Sequence, residues 1–119
     1  MRRNFDRTQR LADLIKKALA TILLEEMSDE RFRLVTVTGA VVSRDLAYAK
    51  IYVTVLMDEE EKIKQVIDAL NRAAKSIRYN LAHAVKVRVV PELKFVFDES
   101  TAHGFKISGL IDSVTKKDK

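Results

Sequence analysis

The sequence predicts an α+β fold in which helices pack on one face of a three-stranded sheet, in the order α-β-β-α(α)-β. Three observations lead there: an amphipathic helical stripe over 8–27, runs of two-residue alternation within 34–57 and 85–97, and a long helical stripe between them. With 119 residues, 47% of them hydrophobic, the chain has one domain's length and enough apolar surface for a core.

Over 8–27, Leu11, Leu14, Ile15, Ala18, Leu19, Ile22, Leu23 and Met27 recur at three- and four-residue spacing and are expected on one buried face. Thr8 or Asp6 is placed to cap the start, and Ser28-Asp29-Glu30 to end the helix. Arg10, Lys16 and Lys17 fall on the opposite face. A β-hairpin follows. Leu34 to Val42 is rich in β-formers, and Ala47 to Met57 alternates. Ala47, Ala49, Ile51, Val53, Val55 and Met57 take one side, with Tyr48, Lys50, Tyr52 and Thr54 on the other. Ser43-Arg44-Asp45-Leu46 supplies the turn, so the pairing is expected to be antiparallel.

The acidic block Asp58-Glu59-Glu60-Glu61 suits the positive end of a helix dipole and opens the next helix. Its buried stripe runs through Ile63, Val66, Ile67, Leu70, Ala73, Ala74, Ile77, Leu81 and Ala84, without Gly or Pro. The stripe narrows to alanines in the middle, where a kink or close backbone approach is tolerated, and periodicity leaves one helix or two open. From Val85 to Phe97 the period returns to two, with Val85, Val87, Val89, Leu93, Phe95 and Phe97 on one side. Pro91 marks an edge strand or a bulge. The expected division is a domain over 1–97 and a C-terminal extension over 98–119. The extension holds a short helical turn at Ile107, Leu110 and Ile111 and ends in a disordered charged tail.

The net charge is +5 and the pI about 9.6, which favours a polyanionic partner. The charge is uneven: residues 62–94 hold eight Lys/Arg against two acids, and residues 1–17 six against two. No apolar run reaches the ~20 residues of a bilayer span, and the polar start lacks the pattern of a signal segment. A soluble, cytoplasmic protein is expected. Cysteine is absent, which excludes disulfides and thiolate metal sites. Only His83 and His103 could serve as imidazole bases, and neither is paired with a nucleophile by spacing. Asp98, Glu99 and His103 lack a second spaced histidine for a metal site, and no Lys-Ser/Thr follows Gly104 or Gly109 as a phosphate loop requires. No enzyme, metal or cofactor is expected.

Binding chemistry is better supported. Arg72, Lys75 and Arg78 are three residues apart, so on one helix they share a side away from the aliphatic stripe. Lys86 and Arg88, two apart on a strand, point the same way. Such a basic face suits phosphate contacts, which give affinity without reading sequence. Tyr48, Tyr52 and Tyr79 could stack on bases or pack at the sheet edge.

The stretch Val37-Thr38-Gly39-Ala40-Val41-Val42-Ser43-Arg44-Asp45-Leu46-Ala47-Tyr48-Ala49-Lys50-Ile51-Tyr52-Val53 resembles the hairpin of the ribosome-binding factor A family. The same likeness holds for Arg7-Thr8-Gln9-Arg10-Leu11, Arg78-Tyr79-Asn80-Leu81, Val87-Arg88-Val89-Val90-Pro91-Glu92-Leu93-Lys94-Phe95 and Asp98-Glu99-Ser100, so it covers nearly the whole chain in order. The resemblance implies a KH-like type II fold, α-β-β-α-kink-α-β. It also implies a non-catalytic assembly factor that binds the small ribosomal subunit and its ribosomal RNA during late maturation and rRNA processing, and matters for cold adaptation. A monomer in solution with no membrane partner is expected. A KH-like module binding other structured or single-stranded RNA is the alternative, and an adaptor for an acidic protein stands further off. Members of this family show Ala-x-Gly at the helix junction; here the matching positions are Ala73-Ala74-Lys75. Without Gly, a bend there must come from tertiary packing. The candidate RNA-binding residues are Arg3, Arg7, Arg10, Arg72, Lys75, Arg78, Lys86 and Arg88, with the helix kink at Ala73, Ala74 and Lys75.

Overall fold

The computed structural model describes residues 2–100, with side chains from Arg7 onward. The helical turn expected at Ile107, Leu110 and Ile111 and the charged end at 116–119 lie outside the described residues, as does His103. The chain forms α1 (Arg2–Glu25), a 3₁₀ turn (Glu30–Leu34), β1 (Val35–Val42), β2 (Tyr48–Val55), α2 (Glu60–Arg72), α3 (Ala74–Val85) and β3 (Glu92–Phe97).

Helix α1 begins earlier than its apolar stripe does. Residues 2–25 contain no Gly or Pro, so nothing stops the helix from extending past Thr8. Asp6 and Thr8 therefore lie inside α1 and do not cap it. Its buried side chains are Leu11, Ala12, Ile15, Leu19, Ile22 and Leu23, while Leu14 is 46% exposed. At 3.6 residues per turn that arc is centred between Leu11 and Ala12, and Leu14 falls roughly 120° from its centre. Ser28-Asp29 does more than end a helix. The Asp29 carboxylate accepts from the Arg31 backbone N–H at 3.0 Å and from its guanidinium at 2.7 Å and 3.1 Å. It thereby caps the 3₁₀ turn that buries Phe32. The Arg31 side chain is the main cause of an Asp29 pKa below the ordinary carboxylate value.

The sheet order is β1-β2-β3, with β2 antiparallel to β1 and parallel to β3. Alternation in β2 buries Ala49, Ile51, Val53 and Val55 against the helices, and Leu93 and Phe95 continue that face on β3. Thr38 is the extra residue of a bulge between Val37 and Gly39. Its hydroxyl lies 3.2 Å from the Tyr52 carbonyl and also meets the Asp98 carboxylate, so the end of β3 is tied back to β1. The hairpin turn is held by its own side chains. The Ser43 hydroxyl donates to Asp45 at 2.7 Å and accepts from the Tyr48 N–H at 3.0 Å, while Asp45 also accepts from the Ala47 N–H at 3.1 Å. The Ser43 contact is the largest cause of a lowered Asp45 pKa. Leu46 takes a left-handed conformation at φ 63.

The expected strand over 85–97 is half as long as predicted. Val85 ends α3, and Lys86 is left-handed at φ 51. Pro91 has no N–H to give, so the ladder starts where the Glu92 N–H reaches the Ala47 carbonyl at 2.9 Å. Between these points the alternation is lost: Val89 is 51% exposed and Val90 is buried. Ala84, assigned to the long stripe, is exposed.

Strand β3 is an edge strand, and its free side is partly closed by α2. The Asn71 side-chain amide donates to the Phe95 carbonyl at 2.9 Å and accepts from the Phe95 N–H at 2.8 Å, standing in for a missing neighbour strand. Asn71→Ala removes both bonds and is expected to cost about 2 kcal/mol, read as a lower midpoint in urea unfolding. The opened edge should also give concentration-dependent self-association in light scattering.

Candidate nucleic-acid interface

The helical run does break at the alanines. Helix α2 ends at Arg72, Ala73 sits at φ −91 and ψ 5, and α3 starts at Ala74. This bridge conformation is open to alanine, so no glycine is needed. The first backbone bond of α3 runs from the Ile77 N–H to the Ala73 carbonyl at 2.9 Å. The N–H groups of Ala74, Lys75 and Ser76 therefore head the helix without intrahelical acceptors and carry its positive pole. Ala73 and Ala74 are partly buried against the core, and α3 packs on both α1 and β3. The break is a packing feature.

The expected basic residues come from several elements of the fold. Arg72 and Lys75 flank the break, and both are exposed with no ion-pair or hydrogen-bond partner among the described residues. Arg78 is different: its guanidinium donates to the Val90 carbonyl at 3.0 Å and 2.7 Å and is half-buried. It braces the segment leading into β3, so two of its five N–H donors are already used within the fold. Lys86 and Arg88 are exposed but lie in that irregular segment, so they share no strand face. Arg7 and Arg10 are exposed on the first half of α1. At 1.5 Å rise per residue they stand roughly 24–29 Å along the helix from Glu26. The Arg3 side chain lies outside the described residues.

The sequence reading missed a groove beside the break. It is lined by Glu26, Met27 and Ser28, just past the end of α1, and by Lys75, Ser76, Tyr79 and Asn80 of α3. Asn80 approaches the Met27 sulfur at 3.6 Å and closes the floor weakly. Tyr79 is 66% exposed. Its ring packs against His83 at 4.6 Å between centroids, tilted by 55°, and His83 Nδ1 lies 2.9 Å from the Tyr79 carbonyl. The available signal was the four-residue spacing of Lys75, Tyr79 and His83, which places them along one side of α3. Nothing in the sequence brings the end of α1 to them. Among the described residues no group of three or more His, Cys, Asp or Glu is arranged to hold a metal. No helix among them is long and apolar enough to cross a membrane.

A three-stranded sheet with one antiparallel and one parallel pairing, helices on one face and a broken helical pair crossing between the parallel strands defines a KH-like domain of the type II order. Residues 7–111 match the family model for ribosome-binding factor A. The chain is 44% identical over 119 residues to the ribosome-binding factor A of Shewanella frigidimarina (strain NCIMB 400), covering 100% of this chain and 83% of that protein. It is 41% identical to the one from Shewanella sediminis (strain HAW-EB3), with the same coverage. The crystal structure of ribosome-binding factor A from Thermus thermophilus aligns with a TM-score of 0.64 at 29% identity, over 75% of this chain and 93% of that one. A Thermus thermophilus homology model fitted into a cryo-EM map of a 30S–RbfA complex aligns at 0.61 and 30% identity, over 74% and 91%. The NMR structure of a putative Thermotoga maritima ribosome binding factor A aligns at 0.63 and 33% identity, over 76% and 85%. The chain belongs to the ribosome-binding factor A family.

Two substitutions separate bracing from binding. Arg78→Met keeps the packed stem but loses both bonds to Val90, and is expected to cost about 2 kcal/mol and to speed amide exchange across 86–91. Lys75→Met should stay within about 0.5 kcal/mol of the parent. At the left-handed Lys86, Lys86→Gly relieves a Cβ clash and should stabilise the protein by up to about 1 kcal/mol. A rise in the thermal midpoint checks this.

Proposed function

We propose that this chain binds the small ribosomal subunit through its ribosomal RNA and assists late maturation and rRNA processing without catalysing a reaction. The observation that carries the reading is the pair of exposed cations, Arg72 and Lys75, on either side of the helix break, which have no ion-pair partner among the described residues and stand beside the start of α3. Cations and a helix N-terminus together suit phosphate oxygens. Family membership supports the same reading, as does the fitting of the related Thermus protein into a map of its 30S complex. The domain over 1–97 is the RNA-binding unit in this reading, and 98–119 is an extension of it.

A binding protein without chemistry acts through differential affinity: it holds one RNA conformation better than another and shifts the population. Low temperature stabilises misfolded RNA helices, so the effect matters most in the cold. The test is co-sedimentation of the full chain with small subunits on sucrose gradients at increasing salt. Association should weaken with a log–log slope of several units. Arg72→Glu with Lys75→Glu should abolish it, whereas Arg7→Glu with Arg10→Glu should weaken it less. Cells carrying only the Arg72/Lys75 variant should accumulate immature small subunits on cooling. Equal losses from both pairs would mean that diffuse charge drives association. Binding to free RNA but not to subunits would favour the broader KH-like reading.

A further inference from the structure

The geometry points to the groove between the end of α1 and the start of α3 as a site for one unpaired nucleotide, stacked on Tyr79 and selected by Glu26 for a base bearing an exocyclic amine. This deepens the reading of the helix break as the RNA-facing region and rests on it.

Glu26 and Lys75 line the same groove, yet neither has an ion-pair partner among the described residues. Opposite charges that share a groove without meeting are each left with unused hydrogen-bonding capacity. A carboxylate repels phosphate, so the groove is unsuited to taking the RNA backbone along its length. It suits a ligand that carries both an anionic group and a hydrogen-bond donor. A nucleotide has both. Its phosphate pairs with Lys75 at the head of α3, and an amine on the base edge donates to Glu26. Adenine, cytosine and guanine supply that amine; uracil lacks it, and its two carbonyl oxygens flank a single ring N–H, so it meets the carboxylate less well.

Tyr79, a large aromatic side chain that is 66% exposed, lines the same groove one helical turn after Lys75. Exposing a tyrosine ring forgoes the burial that rings usually supply, and a base stacked on it restores that contact. His83 does not line the groove but packs against the ring and is anchored at the Tyr79 carbonyl, which limits the ring's orientations. The groove is shallow and open to solvent, and its space of about 510 Å³ leaves room for one base to lie on the ring without being enclosed. Paired bases hide both the ring face and the amine, so the site takes unpaired RNA only.

The test measures binding of the full chain to six-nucleotide oligo(A), oligo(C) and oligo(U) by fluorescence anisotropy, beside small-subunit co-sedimentation. Oligo(A) and oligo(C) should bind more tightly than oligo(U). Tyr79→Ala should weaken the first two by about tenfold, with Tyr79→Phe close to the parent. Glu26→Gln should erase the preference over oligo(U), because a carboxamide also donates to uracil oxygens. Equal binding of all three oligomers by the parent, or no change with Tyr79→Ala and Glu26→Gln while Arg72→Glu with Lys75→Glu still abolishes subunit binding, overturns the site alone. Retained subunit binding by that charge-reversed variant overturns the underlying reading instead.

Discussion

The parallel pairing of β3 with β2 governs the rest of this molecule. A parallel neighbour cannot be reached by a tight turn, so the chain must cross the sheet and come back, and α2 and α3 are that crossing. Two side chains fix its return. Asn71, in the last turn of α2, pairs with both backbone groups of Phe95, and Arg78, in α3, holds the Val90 carbonyl. The break at Ala73 lies between them. With one tie on each side, the two helical segments are held separately to the segment that leads into and forms β3. An alanine then suffices at the junction, because its bridge conformation is sterically open and the packing selects it.

This arrangement also sorts the basic residues. A guanidinium that bonds a backbone carbonyl is held in one place, so Arg78 strengthens the framework while Arg72 and Lys75 are exposed with no such tie. The break between α2 and α3 thus collects two cations, a helix start and a ring within a short stretch of chain. The end of α1 adds a carboxylate to the opposite wall. Lys86 and Arg88 project from a segment that α3 and Pro91 leave irregular, and Arg7 and Arg10 stand far along α1.

The most distinctive stretch of the sequence has an architectural role. Ser43 and Asp45 close the hairpin through a mutual hydrogen bond and two backbone contacts, which sets the register by which β2 presents alternate residues to the core. Pro91 likewise delays the ladder by one residue, and Asp98 ties its far end to the Thr38 bulge. The hairpin and β3 motifs that mark this family hold the sheet in place, while of the groove only Tyr79 and Asn80 belong to such a motif.

Much of the fold is legible in the sequence because its signals are local. Period-two alternation placed the buried face of β2, turn chemistry placed the hairpin, and the acidic block marked the start of α2. Legibility failed where a distant partner decides. Leu14 reads as a stripe residue, but the arc of α1 that meets β1 and α3 leaves it outside. Val85 to Val90 alternates like a strand, yet the left-handed Lys86 and the brace from Arg78 make it a connector. Arg78 carries the same sequence signal as Arg72 and Lys75, and only the position of Val90 separates it from them. Of the groove only the α3 side was legible, since Glu26 and Tyr79 lie 53 residues apart and line one groove only because α1 and α3 pack together. Sequence by itself determined the order of helices and strands, the hairpin and most of the core, through periodicity and turn chemistry acting over a few residues. The tertiary structure alone decided which charges remain free, because that depends on which backbone carbonyl or side chain another part of the fold brings within reach.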